Sequence, residues 1–223
     1  MFTLESDVPY RAVIFDLDGT LMNPQVGITR CIQYALGQLG IVVEDADTLT
    51  PYIGPPLLEN FPKIHGLTPE ESLIAVGHYR ERFASIGVFE NEIYPGILDL
   101  LTALRARDKT LYIATSKPTL FAEQIANHFG FAHHFDFIGG SNLDNTRTIK
   151  GEVIAHVLAE RPGFPIEEMV MVGDRVHDII GAQHNGMASI GVGYGFAVGD
   201  ELATSGATSL VDTIEELQTL LLS

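Results

Sequence analysis

The sequence predicts an α/β fold, a doubly wound parallel sheet, with a small all-helical domain inserted after the first strand. Three observations predict it. Short apolar runs recur without polar alternation, among them "VIF" at 13–15, "TLYIAT" at 110–115 and "MVMVG" at 169–173. Such runs suit parallel strands covered on both faces. From Gly96 onward they alternate with segments of helical period, the pattern of a sheet wound with helices. Between Leu21 and Tyr94 that alternation is missing.

The elements follow in order. Val13, Ile14 and Phe15 read as a buried strand ending in "DLDGT". In the irregular stretch, "ITRCIQYALGQLG" and "TPEESLIAVGHYRERFASIG" read as amphipathic helices. In the second, Thr68 offers an N-cap, Pro69 takes the first helical position and Glu71 can close a capping box. "PYIGPPLLENFPKIHG" between them is rich in Pro and Gly. "YPGI" at 94–97 marks the return to the sheet. "GILDLLTALRARD" is helical, "TLYIAT" a strand, "TLFAEQIANHFG" a helix stopped at Gly130, and "FDFIGG" a strand. "IKGEVIAHVLAER" is a helix, "MVMVGD" a strand ending in a carboxylate, and "DIIGAQHNG" a helix. "ASIGVG" is a strand and "TIEELQTLLL" a closing helix. Residues 1–21 with 95–223 then form the core domain, and 22–94 the helical cap. "GVGYGFAVGD" lacks the Gly-Lys-Ser/Thr ending of a phosphate-binding P-loop and reads as a flexible loop.

Composition narrows the function. The chain has 223 residues, 46% of them hydrophobic, enough for one core and a small second domain. Its 13 Lys and Arg against 29 Asp and Glu give a net charge of −16, which argues against a nucleic-acid partner. An anionic substrate has to be met by local cations or a metal, against the overall field. A single cysteine, Cys31, allows no internal disulfide and no multi-cysteine metal site. The acidic N-terminus has no long apolar stretch, which predicts no secretory leader, and no run is long enough to span a membrane. A cytoplasmic protein is expected.

In open parallel sheets, ligands bind beyond the carboxyl ends of the strands. Asp16 with Asp18, Thr115 with Lys117, Lys150, and Asp174 with Asp178 all fall there. Singly, each has a plain structural reading as a cap, a turn or a solvated charge. Jointly they make a working site. The carboxylates are hard oxygen ligands that suit Mg²⁺ together with a substrate phosphate. Thr115, at an expected helix N-terminus, suits the phosphate itself. A lysine such as Lys150 can neutralise the charge developed in phosphoryl transfer. An ionised carboxylate can attack phosphorus, and a second one can act as general acid and then base.

With these residues in place, the sequence resembles the haloacid dehalogenase superfamily in its phosphatase branch. "FDLDGT" is similar to the family's first motif, Thr115 in "YIATSKP" to the second, Lys150 to the third and "GDRVHD" to the fourth. The resemblance covers almost the whole chain. A helical insertion directly after the first motif resembles the subgroup of phosphoglycolate phosphatases, β-phosphoglucomutases and nucleotidases. The resemblance implies a Rossmann-like core and these roles. Asp16 is the nucleophile and a Mg²⁺ ligand. Asp18 is the acid/base and binds Mg²⁺ through its carbonyl. Thr115, Ser116 and Lys117 hold phosphate, and Lys150 orients the nucleophile. Asp174 binds the metal, with Asp178 as ligand or support. Gly19 and Thr20 let the loop after the first strand turn and hinge. The expected activity is Mg²⁺-dependent hydrolysis of a small phosphate monoester, phosphoglycolate or nucleotide-like, through an aspartyl-phosphate.

Rivals remain at this level. A β-phosphoglucomutase-type mutase uses the same motifs, although the Gly173-Asp174 start of the fourth is closer to the phosphatases. A pyrophosphatase or a non-catalytic binding protein ranks lower, because every named role is occupied. Dehalogenation is disfavoured because family dehalogenases replace the second aspartate. A phosphonate-cleaving enzyme needs an activated cap lysine, and Lys63, the only lysine there, reads as a solvated loop residue. Arg147, Lys117 and the "IGPP" loop are candidates to touch the rest of the substrate. His133 and His134 read as a helix-to-strand connection, and His177 lies inside the fourth motif without an assigned role. The expected partner is a small phosphorylated metabolite. Oligomeric state cannot be read from the sequence.

Overall fold

The computed structural model describes residues 10–223. The expectation about a leader rests on the N-terminal residues, and 1–9 lie outside the described part. Among the described residues no helix is long and apolar enough to cross a membrane.

The order is β1 (Ala12–Phe15), β2 (Met22–Asn23), α1 (Gln25–Gln38), α2 (Leu57–His65), α3 (Pro69–Ser85), β3 (Glu92–Ile93) and α4 (Ile97–Arg105). Then come β4 (Thr110–Pro118), α5 (Thr119–His128), β5 (Phe137–Ser141), α6 (Lys150–Glu160), β6 (Met169–Gly173) and α7 (Val176–His184). The chain closes with β7 (Ala188–Val192), α8 (Glu201–Thr204), β8 (Ser209–Val211) and α9 (Ile214–Leu222). Six strands form one sheet in the order β5-β4-β1-β6-β7-β8, every neighbouring pair parallel.

The apolar runs are explained by what lies on each face. Val13 and Phe15 join one hydrophobic cluster with Leu100, Leu104 and Ile125. Their neighbours Ala12 and Ile14 join a second cluster with Val153, Ile154 and Ala182. Successive side chains of a strand point to opposite faces, so a strand with helices on both sides has no polar position.

Two expectations about the strands are corrected. The sheet has a sixth strand, β8, which the sequence reading did not place. It is three residues long at an edge, and only Val211 is buried, so it carries no strong apolar run. The inserted stretch is not wholly helical either. β2 and β3 pair antiparallel, Met22 with Ile93 and Asn23 with Glu92, where the chain leaves and re-enters. Two-residue strands are too short to show a period.

Within the insertion, α3 begins as its sequence requires. Thr68 Oγ1 accepts from Glu71 N at 3.2 Å, and Thr68 N donates to Glu71 Oε2 at 2.8 Å, with Pro69 in the first turn. The Pro-rich segment between α1 and α3 holds a 3₁₀ stretch, Ala46–Tyr52, and then α2, which contains Pro62. Lys63 is therefore on a helix, not in a loop, and is exposed.

Candidate active site

The strand order places β1 between β4 and β6, so the chain reverses its winding direction on either side of β1. The carboxyl ends of these three strands open on one crevice, the usual ligand position in such sheets. Asp16 follows β1, Asp174 follows β6, and Thr115 lies within the carboxyl-terminal part of β4.

Lys150, the first residue of α6, is buried under this crevice with 5% of its surface exposed. Its Nζ lies 2.8 Å from Asp16 Oδ1 and 2.9 Å from Asp178 Oδ1, and donates to Ala114 O at 3.0 Å. The reading of Lys150 as a solvated surface charge is thus overturned. Burial pulls its pKa down, but Asp16 and Asp178 outweigh that, and the net shift is upward. Lys150 stays charged.

Asp178 is held by its surroundings. Its Oδ2 accepts from Arg175 N at 3.0 Å. A Cβ on Gly173 would overlap the Asp178 side chain, so the glycine at the end of β6 makes the space this carboxylate fills. Burial pushes the Asp178 pKa up to about 6, with Lys150 opposing the rise.

Asp174 is fully buried, and no cation pairs with it among the described residues. Its Oδ1 accepts from Thr20 Oγ1 at 3.3 Å and its Oδ2 from Phe196 N at 2.7 Å. Burial first, then the charges of Asp178 and Asp16, hold its pKa well above the ordinary carboxylate value. Gly19, at φ 85°, turns the backbone onto this carboxylate, where any Cβ would overlap it.

Oxygens of Asp16, Asp174 and Asp178 all lie within 4.8 Å of one another. Among the described residues, three carboxylates face one ammonium, so ionising all three leaves two negative charges uncompensated in a buried place. A divalent cation would balance them. Hard oxygen donors, and Asp174 without a cationic partner among the described residues, fit such an ion.

Asp18 is turned elsewhere. Its Oδ2 pairs with Lys117 Nζ at 2.9 Å, while its Oδ1 has no hydrogen-bond partner among the described residues. Burial raises its pKa and Lys117 opposes this. Its side chain is not part of the three-carboxylate cluster. Lys117 also sits over the Phe83 ring, 4.7 Å from its centroid.

One further expectation fails. Thr115 is not at a helix N-terminus, because β4 runs on to Pro118 and α5 starts at Thr119. Instead Thr115 Oγ1 accepts from Lys117 N at 3.3 Å, so the strand end turns on itself and presents Thr115 and Ser116 to the cavity.

Over the site lies a cavity of about 320 Å³. Asp16, Asp18, Thr115, Ser116 and Lys117 form its base. The inserted helices supply Tyr52, the Gly54-Pro55-Pro56 turn, Tyr79, Arg80 and Phe83. The "IGPP" loop therefore does face the site. Arg147 does not: its Nε donates to Gly140 O and its Nη2 to Asn142 Oδ1, each at 2.9 Å, which ties down its own loop. Lys63 is not among the lining residues and its side chain is exposed. His133 and His134 form a 3₁₀ turn between α5 and β5, as expected. His177 and His184 line a smaller pocket of about 150 Å³ beside Lys150, and burial lowers the His177 pKa.

Several site residues went unread in the sequence. The supposedly flexible "GVGYGFAVGD" loop is packed on Asp174 through Gly195 and Phe196, and Tyr194 Oη donates to Thr20 O at 3.0 Å. Arg175 bridges to the insertion: its Nη1 donates to Ile53 O at 2.6 Å and its Nε to Glu201 Oε1 at 2.7 Å. Its place between Asp174 and Asp178 was the available signal.

The family model described as haloacid dehalogenase-like hydrolase matches residues 13–192. A 5'-nucleotidase from Pseudomonas aeruginosa is 52% identical over 193 residues, 86% of this chain and 87% of that protein. The tyrosine-protein kinase PtkA of Mycobacterium tuberculosis is 38% identical over 209 residues, 92% of this chain and 70% of that protein. The crystal structure of a predicted phosphatase from Clostridium acetobutylicum superposes with a TM-score of 0.91 at 40% identity, covering 96% of this chain and 98% of that one.

Proposed function

We propose a specific activity from a plain premise: the chain belongs to the haloacid dehalogenase-like hydrolase family and is a phosphoric monoester hydrolase. The activity is hydrolysis of a nucleotide-like phosphate monoester through phosphorylation of Asp16. One observation carries this reading. Asp16 stands between Lys150 and the Asp174–Asp178 pair on one side and the cavity on the other.

Asp16 is the nucleophile. Lys150 Nζ at 2.8 Å holds its carboxylate in a fixed orientation. Thr115 and Ser116 receive the non-bridging phosphoryl oxygens, and Lys117 adds a positive charge on that side. Asp18, raised in pKa by burial, protonates the leaving alcohol and then takes a proton from the water that hydrolyses the acyl-phosphate. Asp16, Asp174 and Asp178, with the backbone carbonyl of Asp18, would hold Mg²⁺. When bound, that ion supplies charge neutralisation for the phosphoryl group. Residues 22–94 act as a cap that covers the reaction from water.

The cavity wall favours a nucleotide over phosphoglycolate. Tyr52, Tyr79, Phe83 and Phe121 offer aromatic surface that a two-carbon carboxylate would not use, whereas a nucleoside would. The relative named a 5'-nucleotidase agrees with this choice.

The test is phosphate release from nucleoside monophosphates, 2-phosphoglycolate, hexose phosphates and pyrophosphate, each with Mg²⁺ and with chelator. The reading expects Mg²⁺-dependent release that is fastest from a nucleotide. Equal release with chelator would remove the metal, and preference for 2-phosphoglycolate would remove the nucleotide. An added arm with ATP and a tyrosine peptide measures transfer to protein, which this reading expects to be negligible.

A further inference from the structure

We propose that Arg80 and Asn145 form a donor pair that reads hydrogen-bond acceptors on the leaving group, and so set substrate specificity; the proposal rests on the phosphatase reading above. Arg80 is on α3, in the insertion, and Asn145 on the loop between β5 and α6. They meet across the cavity wall. Arg80 Nη1 donates to Leu143 O and Nη2 to Asn145 Oδ1, both at 2.8 Å. Both residues line the cavity over Asp16.

What the pair offers is fixed by its bonding. A guanidinium carries five N–H donors and no acceptor. Those aimed at Leu143 and Asn145 hold the group in place, and the others remain for a ligand. Asn145 uses its carbonyl oxygen on Arg80, which fixes which way its amide points. Its Nδ2 has no protein partner among the described residues. The combined site therefore recognises acceptors: hydroxyl, carbonyl or ring-nitrogen lone pairs.

The loop that presents Asn145 is already shaped. Asn145 adopts φ 66°, and Asp144 Oδ1 accepts from Thr146 N and Oγ1 at 2.9 and 2.6 Å. Arg147 closes the base of the loop on Gly140 and Asn142. Donors held in place before binding lose little freedom when a ligand arrives. One turn along α3, Tyr79 and Phe83 stack at 5.3 Å with 12° between planes, giving an apolar wall. A leaving group that satisfies both has a planar apolar face and acceptors on its edge, as a nucleoside has. A two-carbon acid lacks the face, and a simple phenol lacks the edge.

The experiment uses the full chain with Mg²⁺ and compares kcat/KM for adenosine 5'-monophosphate with that for phenyl phosphate. The variants are Arg80→Met and Asn145→Asp. The second keeps an acceptor for Arg80 and replaces the Nδ2 donor by an anionic acceptor oxygen, so it tests recognition without opening the bridge. Each variant should lower the nucleotide-to-phenyl ratio about tenfold, mainly through a higher KM for the nucleotide. A ratio that stays constant overturns the proposal, whether both rates fall together or neither changes, because Arg80 would then only hold α3 in place. Wild-type turnover of phenyl phosphate without the nucleotide overturns the leaving-group class. Wild-type failure on both esters overturns the phosphatase reading and this proposal with it.

Discussion

Phe196 donates its backbone N–H to Asp174 Oδ2 at 2.7 Å, so a loop beyond β7 finishes the carboxylate cluster at the end of β6. The approach depends on the residue before it. A Cβ on Gly195 would overlap the Asp174 side chain and the carbonyl of Gly19. Gly195→Ala should displace this loop or Asp174, at a cost of about 1–3 kcal/mol for an overpacked site. The expected result is a higher Mg²⁺ concentration for half-maximal activity with the fold retained. A Mg²⁺ titration of phosphate release, beside a circular-dichroism melt, measures both. An unchanged titration would show that the contact is immaterial.

Asp16→Asn keeps the side chain's volume and an acceptor for Leu17 N, now bonded at 2.7 Å. It removes the anionic nucleophile. Turnover should fall by about three orders of magnitude or more. Rapid quench of the wild-type chain with radiolabelled substrate should trap a phosphoprotein, and the variant should trap none. Phosphoprotein of equal yield in the variant would place the nucleophile elsewhere.

Lys150→Met leaves Asp16 and Asp178 buried without their ammonium partner. Removing one side of a buried ion pair costs about 3–5 kcal/mol. The metal-free variant should melt well below the wild-type chain, and Mg²⁺ should recover part of the difference by replacing some of the lost positive charge. A melting temperature within a degree or so of wild type would contradict the buried pairing.

The acidic cluster also sets a pH dependence. Burial raises Asp178 to about 6 and holds Asp174 well above the ordinary value, against 3.8 for an unperturbed aspartate. The folded chain then binds more protons than the unfolded one, so this contribution to stability is present in full below about pH 4 and is lost as pH rises through about 6. Metal binding runs the other way, because it needs both carboxylates ionised. The gain in melting temperature on adding Mg²⁺ should grow from pH 5 to pH 7.5. A gain that is flat or falls over that range would mean that these two aspartates are not the metal's ligands.

Much of this arrangement was legible in the chain, and the reasons are local. The apolar runs of β1, β4 and β6 come from burial on both faces, which leaves no polar alternation. The capping box at Thr68 and Glu71 lies within four residues and formed as read. Asp16, Asp18, Thr115, Lys117, Lys150, Asp174 and Asp178 gather at the carboxyl ends of the sheet's strands because each follows or ends a strand, or lies in the first turn of the helix after one. The misreadings are also local. β8 and the β2–β3 pair are too short to carry a period, and β4 continued past Thr115 where a helix start was expected.

The sequence by itself determined β1, β4, β5, β6 and β7, the helices wound between β4 and β7, and the residues at the strand ends. These depend on burial period, turn residues and spacing along the chain. The tertiary structure alone decided which charges pair. Lys150 joins Asp16 and Asp178, Lys117 takes Asp18, Arg175 reaches Ile53, and Arg80 finds Asn145. It also brought Gly195 and Phe196 onto Asp174. Such pairings join residues far apart in the chain, about 20 to 135 positions, and no local pattern encodes such a partner. Burial raises the cost of an unpaired charge, so the folded site keeps the pairings that satisfy it.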